Sequence, residues 1–224
     1  MIYLALDTAN HLCAAAIYDD DNQSILGEIT EDIGRGHAER LMDVISDCFS
    51  RTELEYCDLD KIICTTGPGS FTGVRVGLAT ARGLGLGLSL PVTGISTLDA
   101  LQHEANTTGP LATVLDARRG EAYVQWRGNS DAPFSSPSVI AYEVLAEHLE
   151  GKTFDICGSG AAELQTHMQT PHEVLHELSS ASIATIARLG AEMNGKLAPP
   201  EPNYLRAPDA KPQKLPVFAP GQDT

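Results

Sequence analysis

The glycine-rich segment Gly67-Pro-Gly-Ser-Phe-Thr-Gly73 has the composition of a loop that holds phosphate on backbone amides at a helix start. A Walker A loop needs Lys and then Ser or Thr after its last glycine, but Val74 and Arg75 follow here. The dinucleotide pattern Gly-x-Gly-x-x-Gly also fails, because its third glycine would stand at Thr72. The sequence therefore argues against both nucleotide-binding motifs.

Metal-binding patterns are sparse as well. The five cysteines form no Cys-x-x-Cys pair, and most lie in apolar runs, which is typical of buried reduced thiols in a cytoplasmic protein. His172 and His176 have a spacing of four, but they follow Pro171 in a β-like stretch, where that spacing does not favour a shared ligand. The sequence predicts no metal and no cofactor.

The charge of the chain limits its partners. The net charge is −15, and both the first and the last 112 residues are acidic. Such a chain has no basic face large enough to grip nucleic acid, so contact with RNA is expected only through another protein. The apolar stretch at residues 76–92 is interrupted by Arg82 and ends at Pro91, and no basic leader precedes Asp7. We expect a soluble, cytoplasmic protein without a membrane segment.

Small residues recur every four positions after the loop, at Gly69, Gly73, Gly77, Ala81 and Gly85. In a helix this spacing places them on one face, with Gly83 and Gly87 beside it. Each glycine inside a helix costs about 1 kcal/mol relative to alanine, so close packing must compensate. The stripe is explained equally by contact with another chain or by contact with the protein's own sheet.

Hydrophobic periodicity predicts the elements that position these residues. Strands are expected at 2–6, 13–18, 24–30, 61–66, near Val92, and at 111–116, 122–127 and 154–157. Helices are expected at 37–50, from the glycine loop to before Pro91, and at 96–105, 143–150, 161–168 and 181–194. Residues 106–110 are the best linker. The pattern predicts two α/β domains in tandem, 1–105 and 106–224, the second with an extended proline-rich tail from residue 199.

Four segments, in order along the chain, resemble the TsaB (YeaZ) family of tRNA threonylcarbamoyladenosine biosynthesis proteins. They are Leu4–Thr8, Gly67–Leu84 with its continuation Pro91–Leu98, Asp116–Tyr123 and Pro202–Arg206. The resemblance implies the actin/Hsp70/sugar-kinase fold (ASKHA fold), in which two related α/β domains face a cleft. Asp7 and Thr8 then occupy the start of the first phosphate-contacting loop. The simpler interpretation is that Asp7 caps the turn after the first strand, and we expect no tight ATP binding.

The family is similar to the catalytic subunit TsaD, which transfers a threonylcarbamoyl group to the adenosine 3′ of the tRNA anticodon. TsaD binds its metal through a His-x-x-x-His motif. Here His37 keeps the first histidine, but Leu41 stands at the second position and cannot ligate a metal. His37 is therefore expected at the surface, at the start of its helix. The resemblance implies a subunit without catalytic activity, and a metallopeptidase- or kinase-like enzyme is the alternative.

The same resemblance implies partners: a TsaD-like catalytic subunit, a TsaE-like ATPase and, when the partner is absent, a second copy of the chain. The helices at 37–50 and 71–88 would form the contact, through His37, Leu41, Ile45, Gly69, Gly73, Arg75, Gly77, Ala81, Arg82 and Gly85. On this hypothesis Gly77→Leu or Ala81→Trp blocks the partner and leaves a folded monomer.

Two pairs of side chains in the second predicted unit have two interpretations each. Arg118 and Arg119 form either a solvated hairpin turn or a partner contact. Tyr204 and Arg206 either attach the tail to the body of the protein or contact a partner.

Overall fold

The computed structural model describes residues 1–128, 135–193 and 200–206. Two five-stranded sheets organise these residues. The first half of the protein carries the strands β1 (Ile2–Asp7), β2 (Leu12–Asp19), β3 (Ser24–Asp32), β4 (Lys61–Gly67) and β5 (Val92–Ser96). Its helices are α1 (His37–Phe49), α2 (Phe71–Leu88) and α3 (Thr97–Glu104), with a short 3-10 helix at Tyr56–Asp58.

The second half repeats this arrangement. Its strands are β6 (Leu111–Asp116), β7 (Glu121–Arg127), β8 (Ser138–Ala141), β9 (Asp155–Cys157) and β10 (Val174–His176). Its helices are α4 (Tyr142–Leu149) and α5 (Ala161–His167), and a last helix, α6 (Ile183–Glu192), follows.

The two sheets have the same topology. The first has the order β3-β2-β1-β4-β5, and the second, read from its other edge, has the order β8-β7-β6-β9-β10. In both, the first three strands form an antiparallel meander, and the fourth strand pairs in parallel with the first. This equivalence confirms the prediction of two related α/β units.

The strands β1, β2 and β4 of the first sheet are buried on both faces because each alternates two apolar sets. In β1, Leu4 and Leu6 pack toward α1 and α2, whereas Tyr3 and Ala5 pack toward α3 and α6. Parallel strands covered by helices on both faces read as continuous apolar runs, which is why the sequence predicted them well. The core of the second half is smaller and includes Trp126, whose ring contacts Phe154 edge-on.

Helix α6 crosses back from the second half to the first sheet. Gly190 lies so close to Ile63 that a Cβ there would meet its side chain at 2.5 Å, and Lys61 Nζ donates to the Gly190 carbonyl at 3.0 Å. The predicted boundary near residue 106 separates the two sheets, but α6 packs with the first of them. Tail residues 207–224, which we predicted to be extended, lie outside the described residues.

None of the described helices combines the length and the apolar character that a membrane-spanning helix requires.

Candidate functional site: a cleft between the halves and an exposed helix face

The cleft between the two halves has a volume of about 1010 Å³. One wall is the loop that enters α2, together with the start of α1, and the opposite wall is the turn between β6 and β7. Arg35, Arg118, Arg119 and Arg206 line the cleft, against the two carboxylates Glu39 and Asp116. The cleft is therefore a locally basic surface on an acidic protein.

The glycine loop lines the cleft on one side and packs against the end of β1 on the other. A Cβ at Gly69 would lie 2.2 Å from the Ala9 carbonyl oxygen, and the Ser70 amide already donates to that oxygen at 2.6 Å. The Ser70 hydroxyl caps α2 by accepting from the Gly73 amide at 3.3 Å. Two amides that a phosphate-binding loop would present to a ligand are thus paired within the chain.

Asp7 and Thr8 join three elements at the end of β1. The Asp7 Oδ1 accepts from the Thr65 hydroxyl at 2.6 Å and from the Ala9 amide at 2.9 Å. The Thr8 hydroxyl donates to the Gly73 carbonyl at 2.8 Å. Both side chains are 1% exposed. The capping role considered for Asp7 is present, and Asp7 also fixes β4 against β1, while Thr8 fixes α2.

Burial raises the pKa of Asp7 above its ordinary value of 3.8, while the bonds from Thr65 and Ala9 oppose the shift. A raised pKa means that the folded protein binds the proton of Asp7 more tightly than the unfolded chain does, so protonation of Asp7 stabilises the fold. This stabilisation is complete below the unfolded-state pKa and is lost as the pH rises through the folded-state pKa. Asp7→Asn keeps an oxygen acceptor and carries no charge. We therefore expect its unfolding free energy, relative to the parent protein, to increase from about pH 4 toward pH 7. Urea denaturation across this range measures the difference, and a difference independent of pH would contradict the assignment.

The three histidines considered as metal ligands each contact a different backbone carbonyl. His37 is 7% exposed, and its Nε2 donates to the Leu12 carbonyl at 3.1 Å, so the prediction of a surface histidine is wrong. It is buried because α1 packs its first turn onto β2. The ring of His172 contacts the Phe154 carbonyl, and the ring of His176 contacts the Leu101 carbonyl. Within residues 1–128, 135–193 and 200–206, no three His, Cys, Asp or Glu side chains cluster as metal ligands would.

A Ser–His–Asp chain is also present at the rim of the cleft. The Ser179 hydroxyl lies 2.9 Å from His11 Nδ1, and His11 Nε2 lies 3.8 Å from the Asp32 carboxylate. A catalytic triad requires a buried carboxylate that fixes its histidine by a hydrogen bond. Asp32 is 71% exposed and beyond hydrogen-bond distance, so this arrangement lacks the orienting contact of a serine hydrolase.

The predicted glycine stripe of α2 is occupied within the chain, which corrects its interpretation as a surface for another protein. A Cβ at Gly73 would lie 2.0 Å from the Thr8 carbonyl oxygen, one at Gly77 2.5 Å from the Thr8 hydroxyl, and one at Gly85 2.4 Å from Val92. Ala81 is 0% exposed. Likewise Leu41 and Ile45 of α1 fill the core under the helix pair. Packing against the chain's own sheet, the other interpretation, explains these residues.

A second stripe on α2 faces outward. Ala79, Gly83 and Gly87 are exposed and recur every four residues, and a Cβ at either glycine would meet nothing within 4 Å. Beside them Leu86 is 85% exposed, and Met42 on the neighbouring α1 is 47% exposed. The sequence spacing alone does not say which repeat of small residues on α2 faces the core. The tertiary structure shows that this second stripe is exposed. Contacts among the described residues do not explain why glycine occurs at 83 and 87.

The arginines of α2 bind the C-terminal segment of the same chain. Arg75 Nε donates to the Tyr204 hydroxyl at 2.7 Å and stacks on Phe71, and Arg82 donates to the Pro200 carbonyl at 2.5 Å. The sequence predicted that Arg75 and Arg82 flank a partner contact; in the structure both side chains instead bond to the C-terminal segment of their own chain.

Arg118 and Arg119 form the β6–β7 turn, both with positive φ, at 62° and 60°.

Comparison with known proteins finds a matching family model and several relatives of this chain. The family model TsaD, tRNA N6-adenosine threonylcarbamoyltransferase, matches residues 19–129. An uncharacterised protein of Mycobacterium tuberculosis is 35% identical over 214 residues, which cover 93% of each chain. The tRNA threonylcarbamoyladenosine biosynthesis protein TsaB of Escherichia coli is 35% identical over 152 residues, covering 62% of this chain and 64% of TsaB.

Two solved structures from Pseudomonas aeruginosa share the fold. A protein with similarity to the peptidase YeaZ superposes with a TM-score of 0.73 at 25% identity, over 92% of this chain and 99% of that one. YeaZ itself superposes with a TM-score of 0.70 at 24% identity, over 84% and 90%. The predicted actin/Hsp70/sugar-kinase (ASKHA) fold is confirmed. From the repeated sheet topology, the motifs in their order and these relatives, the chain belongs to the TsaB (YeaZ) family.

Proposed function

We propose that this protein is a non-catalytic subunit in the biosynthesis of threonylcarbamoyladenosine in tRNA, and that it binds a TsaD-like catalytic subunit through the exposed face of α1 and α2. The observation that carries the proposal is the outward stripe Ala79, Gly83 and Gly87. Each exposed helical glycine costs about 1 kcal/mol relative to alanine. No contact in the described part of the chain offsets this cost, whereas a closely approaching helix would.

The match to the TsaD family model supports a partner of that type. The matched residues 19–129 include α1 and α2 completely, so a TsaD-like protein carries the corresponding helix pair. Two related surfaces of this kind can pack about an approximate two-fold axis, each helix pair against the other. Leu86 and Met42 would provide the apolar contacts beside the bare stripe. A second copy of this chain would use the same surface when the partner is absent.

The remaining roles follow from charge and family. With a net charge of −15, the protein contacts tRNA only through its partner. A TsaE-like ATPase would bind the assembled pair, and the whole assembly would work in the cytoplasm. The metallopeptidase alternative lacks a metal-ligand set among the described residues. Against the kinase alternative, the loop amides of Ser70 and Gly73 are already paired within the chain.

Nucleoside mass spectrometry of tRNA tests the proposal. Depletion of the protein is expected to lower threonylcarbamoyladenosine strongly and to leave other modified nucleosides of the same tRNAs unchanged. Re-expression of the parent chain should restore the level. Normal threonylcarbamoyladenosine in fully depleted cells would overturn the proposal.

A further inference from the structure

Residues 200–206 form a short C-terminal segment that contacts both halves of the protein. Pro200 is buried, and the residues that follow, except for Glu201 and Tyr204, are half-buried. Asn203, Tyr204, Leu205 and Arg206 line the cleft itself. The segment therefore lies where the two halves face each other.

Five contacts attach the segment to the first half. Pro200 fits against Gly94, where a Cβ would lie 2.6 Å from the proline ring, and its carbonyl accepts from Arg82. The Asn203 amide donates to the carbonyl of Thr66 at 2.8 Å, next to the glycine loop. Tyr204 packs its ring on Phe71, with centroids 5.1 Å apart, and its hydroxyl accepts from Arg75.

The last described residue, Arg206, reaches the second half. Its guanidinium donates to the Ala117 carbonyl at 2.7 Å and forms an ion pair with Glu121. Its side chain is 22% exposed. These two partners flank the β6–β7 turn, which forms the opposite wall of the cleft. A planar guanidinium suits such a two-point contact because it holds several donors in a fixed plane.

We propose that residues 200–206 act as a strap that sets the separation of the two halves across the cleft, with Arg206 as its closing contact. The strap is anchored on β4 and α2 by backbone and side-chain bonds, and it ends on the β6–β7 turn. Opening of the cleft must therefore break the contacts of Arg206 or detach the whole strap from α2. Release of the strap also frees Arg75 and Arg82 and uncovers Gly67. This inference does not depend on the proposed partner.

Spin labels on the two halves measure the separation directly. In a Cys57→Ser background, which removes the exposed thiol, cysteines replace the exposed residues Ala38 on α1 and Glu163 on α5. We expect one narrow distance distribution for the parent protein and a broader, longer one for Arg206→Ala. The Asn203 amide should exchange with deuterium at least about tenfold faster in that variant, since a lost charged hydrogen bond corresponds to about one order of magnitude in a local opening equilibrium. Arg188→Ala, which removes the same charge from an exposed site on α6, should change neither reading.

A distance distribution for Arg206→Ala that matches the parent, with unchanged exchange at Asn203, would overturn the strap. If Arg206→Ala does not fold, Glu121→Gln decides instead, since it removes only the ion pair. Broadening in Glu121→Gln supports the strap, and a parent-like distribution refutes it. Arg206→Lys should recover part of the narrow distribution, because lysine keeps the charge and loses the planar two-point contact.

Discussion

Gly73→Ala is expected to lower the unfolding free energy by about 3 kcal/mol, because the added Cβ meets backbone and not a side chain that can move aside. It would lie 2.0 Å from the Thr8 carbonyl oxygen. Neither side can yield easily, because the Thr8 hydroxyl is bonded to the Gly73 carbonyl and Asp7 fixes the same turn to β4. Urea denaturation followed by circular dichroism measures the loss.

Gly83→Ala on the same helix is the matched control. It makes the same chemical change where a Cβ meets nothing within 4 Å, so it should raise the unfolding free energy by up to about 1 kcal/mol through helix propensity. The two variants should therefore differ by about 4 kcal/mol. Equal effects at positions 73 and 83 would show that α2 does not lie against the end of β1 as described.

Gly83→Trp is expected to weaken binding of the TsaD-like partner by at least about 100-fold, which is about 2.8 kcal/mol, while the monomer remains folded. The open space at this position accommodates the ring in the free chain, but it would separate two helices that approach closely. Titration calorimetry with the purified partner measures the affinity. In depleted cells, this variant should fail to restore threonylcarbamoyladenosine.

The control for Gly83→Trp is Val144→Trp, which adds a similar exposed ring on α4, far from the proposed contact. It should bind like the parent protein. A folded Gly83→Trp variant with parent-like affinity would remove the α1–α2 face as the partner surface. The design based on sequence, Gly77→Leu or Ala81→Trp, is less informative, since both positions are buried and the variants would lose fold and binding together.

The sequence by itself determined the order and type of most elements. Apolar runs and helical periodicity placed β1, β2, α1, β4 and α2 within one or two residues of their observed bounds, because both faces of the first sheet are buried and its pattern is strong. Short edge elements were harder: β8 is only partly buried along its whole length and was not predicted. The ordered motifs determined the family.

The tertiary structure decided which residues face inward. Gly73 and Gly83 lie on the same helix, and their spacing does not say which of them faces the core. A Cβ at Gly73 would collide with Thr8, whereas one at Gly83 would meet none of the described residues within 4 Å. The distinction depends on where α2 lies against β1, a contact between residues 65 positions apart. Similarly, Arg75 and Arg82 bind a segment more than 100 residues away, and α6 returns to the first sheet. Local sequence patterns report periodicity along one element, whereas the element that will cover each face is fixed only when distant parts of the chain pack together.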